Sequence, residues 1–559
     1  MNNTLRAAAA AGLALLCSGC ASHSRPDSRA QDLVTLSIVG TNDLHGSLLP
    51  KDGRGGLALF SGHLKNLRAA RARDGGGVVL LDAGDMFQGT LESNAGEGAA
   101  VIAAYNILGY TAAALGNHEF DFGPVGPAVT ANSPADDPRG ALKARTREAT
   151  FPILAANLID NATAASVRWP NVTPTAMVRV AGVSVGLIGV MTRTALTATM
   201  AANVRDLSIA PLAETIRTHA AALRQRGASV IVVSAHAGGR CTQFDRPQDL
   251  SSCEDQSEIF RVARELPPGA VDVIVAGHTH APIGHEVAGV AITEAYSNGR
   301  SFGRVDLSID RRTGRVAAKR IFAPRDLVAD DYEGAPVVPD PAIDRVLAPA
   351  LEAVRPIKEK PMGIRLDTPI RRLTPISPLG HLFSDAMLAG SPGADAAVNN
   401  SSGGLRADLP AGPLTYGSVF EVMPFDNLLV QIDLTGKQLR RVLTRQIEGG
   451  RRVVGFSGLR VRADCKGGTT EVTMTRPSGA IVSDEESLRV AVTDFVAAGG
   501  DNILTEVIPP GGFALNPAAP LVREVFADYL RRLKSPLREE PLLEKDAPRL
   551  SLSAECSKS

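Results

Sequence analysis

The chain carries no surplus charge of either sign: Lys plus Arg and Asp plus Glu each number 59 among 559 residues. A protein that grips a long nucleic acid presents a basic surface, so a nucleic-acid polymer is not an expected partner, although local basic pockets stay open. The apolar run at the N-terminus, Ala7 to Cys17, falls far short of the roughly 20 residues needed to span a bilayer. Cysteine is scarce. Beyond Cys17 and Cys20 only Cys241, Cys253, Cys465 and Cys556 remain, and no CxxC spacing among these four offers a cysteine zinc site. Histidine is scarce too, with ten residues. Where those ten fall therefore carries information.

The N-terminus reads as a targeting segment, to be set apart from the fold. Arg6 opens it, the apolar run follows, and Cys17-Ser18-Gly19-Cys20 resembles a bacterial lipoprotein signal with cleavage before Cys20 and acylation of its thiol. The aliphatic residue of that motif, Leu16, sits one position early, and a plain secretory signal cut nearby is the alternative. Ser22 suits sorting to the outer membrane, and the polar stretch from Ala21 reads as a tether, 21–32. The expected protein is exported and lipid-anchored, or else soluble in the periplasm or secreted. Export favours disulfides. Cys241 and Cys253 flank a short polar loop and could pair, which leaves Cys465 with Cys556.

At roughly 150 residues per domain, the length calls for more than one. From 33 to 325, short Val/Ile/Leu runs alternate with helix-like stretches. The runs Val34–Val39, Val78–Leu81, Val183–Val190, Val230–Ser234 and Val271–Ala276 read as buried strands. Ala99–Leu108 and Leu212–Arg226 read as helices. Prolines and acids crowd around 335–341, so 326–361 reads as a linker that contains a helix over Ala342–Val354. Residues 362–556 form a second unit. Helices are expected near Leu379–Leu388 and Leu521–Leu533, and strands at Leu428–Leu434, Leu459–Ala463 and Leu488–Thr493.

Five of the ten histidines occupy short motifs at predicted strand ends: Asp43-Leu44-His45, Gly116-Asn117-His118-Glu119, His236 and Gly277-His278-Thr279-His280. Asp82-Ala83-Gly84-Asp85 ends another strand. Ligands of open α/β sheets bind at the carboxyl ends of strands. Imidazole and carboxylate bind divalent transition metals, and two residues apart in extended chain they project to one side. The set suffices for two ions, with a carboxylate between them. Such a pair polarises phosphoryl oxygens and activates water. His23, His63, His219, His285 and His381 lie outside the motifs and read as ordinary core or surface residues.

With these motifs and Gly55-Gly56-Leu57-Ala58 and Phe120-Asp121-Phe122-Gly123, the chain resembles the calcineurin-like metallophosphoesterases, within them the 5′-nucleotidases, from about residue 34 to 530. The resemblance implies an α/β metallophosphatase sandwich, two sheets flanked by helices, followed by an α+β nucleotide-recognition domain. It implies two divalent ions, with Zn, Mn or Co as candidates. Asp43, His45 and His280 would hold one and Asn117, His236 and His278 the other, with Asp85 bridging. His280 stands where some relatives carry Gln, which leaves metal preference open. His118 would face the phosphate as a catalytic group, oriented by Asp121.

In the second unit, Gly403-Gly404-Leu405-Arg406 resembles the segment whose arginine grips phosphate, with Ser401 where Asn is usual and Asn399-Asn400 just before it. Pro424-Phe425-Asp426-Asn427 and Asp494-Phe495-Val496-Ala497-Ala498-Gly499-Gly500-Asp501 match base-binding segments. Phe425 and Phe495 would sandwich a base, while Asn427 and Asp501 reach its polar atoms. Arg371 and Arg372 are either further phosphate contacts or a solvated basic pair. The implied reaction is hydrolysis of extracytoplasmic nucleotides to release phosphate, with nucleotide-sugars as further candidates. No obligate protein partner is evident. The alternatives are a 2′,3′-cyclic-nucleotide phosphodiesterase or broad phosphatase on the same scaffold, and a non-enzymatic nucleotide-binding surface lipoprotein or adhesin.

Overall fold

A computed structural model describes residues 32–559 apart from 132, 373–376, 449–454, 468, 509–512, 514–515, 517, 545–547, 554–555 and 557–559. The targeting segment, with Cys20 and nearly all of the tether, lies outside the described residues. No helix among them is long and apolar enough to cross a membrane.

Two sheets stack face to face in the first unit. One runs Val316–Ile321, Ser301–Asp310, Leu33–Thr41, Gly77–Asp82, Ala112–Ala114, Ile153–Leu154, Val172–Thr173. The other runs Ile283–Val287, Val290–Glu294, Val273–Ala276, Val230–His236, Val183–Met191, Thr175–Val180. The central strands of both sheets are parallel. They are apolar on both faces because both faces are covered. Ile38, Val79 and Leu81 of one sheet meet Leu187, Val232 and Val275 of the other. The sheets approach so closely that a Cβ on Gly40 would lie 2.4 Å from Val275 Cγ1. Outside, Val39 and Leu80 pack under Phe60 and Leu64 of helix Leu57–Arg73 and Tyr105 of helix Ala99–Leu108. Ile231 and Val233 pack under Ile216 of helix Leu212–Gln225 and Phe260 of helix Glu258–Glu265. Each expected strand and helix of this unit is present within a few residues of its expected bounds. Helix Leu57–Arg73 carried no readable signal: Gly56 supplies no capping side chain, and its first turns are buried almost all round.

The second unit is α+β. A sheet in the order Leu429–Thr435, Ser487–Thr493, Ala396–Asn399, Gly455–Ser457 carries helices Pro378–Ala389 and Val522–Arg532 on one face. The other face is covered by helix Gly436–Glu448 and the small sheet containing Arg460–Lys466. Cys241 is bonded to Cys253, and Cys465 to Cys556.

The helix between the units runs Pro341–Lys358, with Asp340 capping it by accepting from Ala342 N at 3.0 Å. It is not a free spacer. Ile343 and Leu347 are buried in the core of the first unit, and Val354 meets Phe420 of the second. A buried leucine cut to alanine costs roughly 2–5 kcal/mol. Leu347→Ala should therefore lower the melting temperature clearly, whereas a helix that merely spaced two domains would show no change by calorimetry.

Candidate metal centre and substrate cavity

The ligand-bearing motifs of the first unit all end at one place, the carboxyl edge of the sandwich. Strand Leu33–Thr41 delivers Asp43 and His45, Gly77–Asp82 delivers Asp85, and Ala112–Ala114 delivers Asn117 and His118. His236 ends its own strand, and His278 and His280 follow Val273–Ala276. Ser234 Oγ donates to Asp82 O at 2.7 Å and fastens the two sheets beside the site.

Ligand-type atoms gather in two clusters that share one carboxylate. Asp43, His45, Asp85 and His280 form the first, and Asp85, His236 and His278 the second. Asp85 Oδ2 lies 3.9 Å from His45 Nε2 and 3.3 Å from His236 Nε2. Asn117 Oδ1 sits 2.9 Å from His236 Nε2 and 3.1 Å from His278 Nδ1.

The expectation of extended Asp-x-His and His-x-His segments was wrong. Asp43, His45, Asp85, His278 and His280 all have positive φ, between 48° and 80°. Left-handed turns let short loops aim successive side chains inward, and His278 and His280 consequently serve different clusters. Such backbone is uncommon outside glycine, though Asp and His are among the residues that tolerate it, and it costs of order 1–3 kcal/mol per residue where strained.

Three observations fit a pair of divalent ions. First, ring nitrogens face one another: His45 Nε2 and His280 Nε2 at 2.9 Å, and His236 Nε2 and His278 Nδ1 at 3.1 Å. Second, backbone carbonyls hold the far nitrogens of two rings, with His45 Nδ1 2.9 Å from Gln88 O and His236 Nδ1 2.8 Å from Ala83 O. That contact places a proton on Nδ1 and turns the Nε2 lone pair inward. Third, Asp43 Oδ2 accepts from Asn42 Nδ2 and from His278 N, while its buried Oδ1 has no hydrogen-bond partner. Burial pushes the Asp43 and Asp85 carboxyls up. The imidazoles outweigh it, His280 foremost for Asp43 and His236 for Asp85, and both carboxyls stay below the usual carboxylate range.

Glu119 was read only as part of a motif, yet it builds the floor. Its carboxylate accepts from the backbone of Asp85 at 2.9 Å, Met86 at 2.6 Å and Gly116 at 2.7 Å. Burial raises it to about 7. These loops meet at glycine: a Cβ on Gly116 would fall 2.2 Å from Asp85 Oδ1.

A cavity of about 270 Å³ opens on the clusters. The first unit lines it with Asp85, His118, Asp121 and His278, and the second with Arg406, Phe425, Asn427, Phe495 and Asp501. The units are held over it where Gln88 Nε2 and Asn94 Nδ2 both donate to Pro424 O at 3.0 Å. Arg406 is 5.5 Å over the Phe425 ring and its Nη2 lies 3.2 Å from His45 Nε2. Phe425 lies 5.5 Å from the His118 ring. Phe495 rests on Gly500, where a Cβ would come within 2.5 Å of the ring. Asp494, which accepts from Leu428 N and Phe495 N, ties together the two segments that carry the phenylalanines. Asn400 faces the cavity and donates to Asp501 Oδ2 at 2.8 Å, so the asparagine just upstream of Ser401 is the one presented. Arg371 is not among the cavity residues and pairs with Glu539 through both carboxylate oxygens. Arg372 donates to Leu405 O at 2.7 Å and braces the Arg406 loop.

Comparison with known proteins agrees with this geometry. Residues 36–282 match the calcineurin-like phosphoesterase family, and residues 365–506 match the 5′-nucleotidase C-terminal domain. The chain belongs to the calcineurin-like phosphoesterases that carry a 5′-nucleotidase C-terminal domain. Similar family members include a 5′-nucleotidase of Vibrio cholerae, 26% identical with 95% of each chain covered. The protein UshA of Yersinia enterocolitica is 26% identical, over 83% of this chain and 86% of UshA. A 5′-nucleotidase precursor structure from Thermus thermophilus is 27% identical, with a TM-score of 0.71 over 93% of this chain and 99% of that one. The chain is also 25% identical to the endonuclease YhcR of Bacillus subtilis, of whose length it spans only 41%.

His118 Nδ1 and Asp121 Oδ2 are 2.6 Å apart. Burial pulls the imidazole down, but Asp121 and Asp85 outweigh it and raise it above its ordinary 6.5. A raised value stabilises the fold fully below the unfolded pKa, and that contribution is lost as pH rises through the folded one. In Asp121→Asn the His118 titration should move to lower pH by NMR. The stability deficit of this variant should be larger at pH 5.5 than at pH 9; an unmoved titration would remove Asp121 as its partner.

Proposed function

We propose that this protein is a metal-dependent phosphoester hydrolase that releases phosphate from nucleotides outside the cytoplasm. The observation that carries the reading is one cavity lined by residues of both ligand clusters on one side and by two phenylalanines and an arginine of the second unit on the other. Asp43, His45 and His280 would hold one ion, Asn117, His236 and His278 the second, with Asp85 between. Zn, Mn or Co suits this mixed imidazole–carboxylate set. When bound, the ions supply Lewis acidity toward phosphoryl oxygens and make water nucleophilic.

The remaining work falls to the chain. Arg406 presents a planar donor fork to the phosphate. His118, its protonated form favoured by Asp121, stands beside the reacting group to hold its developing charge or protonate the leaving oxygen. Phe425 and Phe495 take the faces of the base, and Asn427 and Asp501 its polar edge. Chemistry at the ions needs only a phosphate ester, so discrimination among esters resides in the second unit.

Three tests bear on activity and place. Base–aromatic stacking contributes about 1–3 kcal/mol per base, so Phe495→Ala should lower kcat/KM for a 5′-nucleotide by roughly 5- to 150-fold. Hydrolysis of p-nitrophenyl phosphate, which cannot fill the clamp, should barely change. Equal losses on both substrates would make Phe495 a core residue. Phosphate release across nucleoside monophosphates, 2′,3′-cyclic nucleotides and nucleotide-sugars then names the preferred ester.

The lipoprotein motif supports anchoring at Cys20. Cys20→Ser should move active protein from the membrane fraction to the soluble one; a variant still bound to membranes would refute the anchor.

A further inference from the structure

The segment after strand Val183–Met191 enters the site from the side, and its ends are fixed. Thr192 N donates to His236 O at 2.8 Å, and Thr192 Oγ1 to Glu258 Oε2 at 2.6 Å. At the other end the buried Asn203 donates to Phe120 O at 2.9 Å and Val129 O at 3.1 Å. Between two short 3-10 turns, Ala195–Thr197 and Ala201–Asn203, Ala198 and Thr199 reach the cavity wall.

These adjacent residues each hold a different working group. Asn117 Nδ2 donates to Ala198 O at 2.8 Å. An amide has one coordinating end, and this bond decides which end faces His236 and His278: the oxygen. One residue on, Thr199 Oγ1 donates to Asp121 Oδ1 at 2.7 Å, while Asp121 Oδ2 meets His118 Nδ1 at 2.6 Å. The carboxylate is thus held through both oxygens, and its plane, which aims the imidazole, is set. Thr199 is 2% exposed, which leaves little room for a water to replace the hydroxyl.

We infer that Ala198–Thr199 is a positioning clamp shared by the metal centre and the His118–Asp121 pair, and that Thr199 is a positioning residue for hydrolysis. The inference rests on the hydrolase reading above. Thr199 acts through Asp121 and His118 and transfers no proton itself. As a water oxygen bonds to phosphorus and the ester P–O bond breaks, the departing oxygen takes the His118 Nε2 proton, and the proton released by that water balances it through solvent. The more basic the leaving oxygen, the more the rate depends on this aim.

The test uses Thr199→Val, which keeps shape and loses the hydroxyl, and Thr199→Ser, which restores it. Both are assayed in the full metal-loaded chain, with bound metal measured. The substrates are a nucleoside 5′-monophosphate, phenyl phosphate and p-nitrophenyl phosphate, the last with the better leaving group. Loss of a charge-assisted hydrogen bond predicts roughly a 10- to 100-fold fall in kcat for Thr199→Val on the nucleotide. KM and metal content should hold, and Thr199→Ser should recover most of the rate. The loss should be larger with phenyl phosphate than with p-nitrophenyl phosphate. An unchanged kcat, equal losses on the two aryl esters, or loss of activity in step with metal would each overturn the assignment. The aryl esters bypass the base clamp, so a wrong nucleotide preference leaves this comparison intact. A metal-loaded wild type that hydrolyses none of the three would end both readings.

Discussion

Asp85 is where the constraints on this protein meet. Its Oδ2 faces imidazoles of both clusters, its Oδ1 accepts from His118 N at 2.8 Å, and its own N–H is held by Glu119. A carboxylate so placed needs a loop turned left-handed, a glycine opposite it at 116, and a buried acid beneath it. Each of these is unfavourable alone. They persist because the two sheets behind them are closely packed, down to the contact at Gly40, and leave the loops no easy relaxation.

Strain, burial and like charge concentrate at the edge where the strands end, while the centre of the sandwich is ordinary apolar packing. The division is physical. Strand interiors satisfy their backbone with neighbours and need only apolar side chains, whereas loops at the carboxyl ends are free to turn and to carry ligands. The second unit adds what the ions cannot: a guanidinium near the clusters and two aromatic faces. Its placement rests on polar contacts, Gln88 and Asn94 with Pro424 O, and on a small apolar cluster of Leu91, Val354 and Phe420. The helix Pro341–Lys358, rooted in the first unit, carries the chain across.

Much of this was legible in the sequence because the local signals are strong. Buried parallel strands read as Val/Ile runs, and the fold needs them to be continuous. Histidines concentrated at the ends of those runs announced a metal centre, since few other tasks place imidazole and carboxylate together at that position. Phe425 and Phe495 drew attention through their flanking residues, not through any property of a phenylalanine.

The sequence by itself therefore determined that the motifs sit at strand ends, the ligand chemistry and the presence of two units, because each is written in residues close together along the chain. Only the tertiary structure decided how the chain turns to bring each histidine to its cluster. His278 and His280 differ by two positions and part company through backbone turns that no spacing rule encodes. Glu119, Asn42 and Asn400 work through partners remote in sequence or through backbone N–H groups, which leave no mark on composition. The same holds for Thr199, whose partner is 78 positions away and whose role exists only because the fold closes that distance.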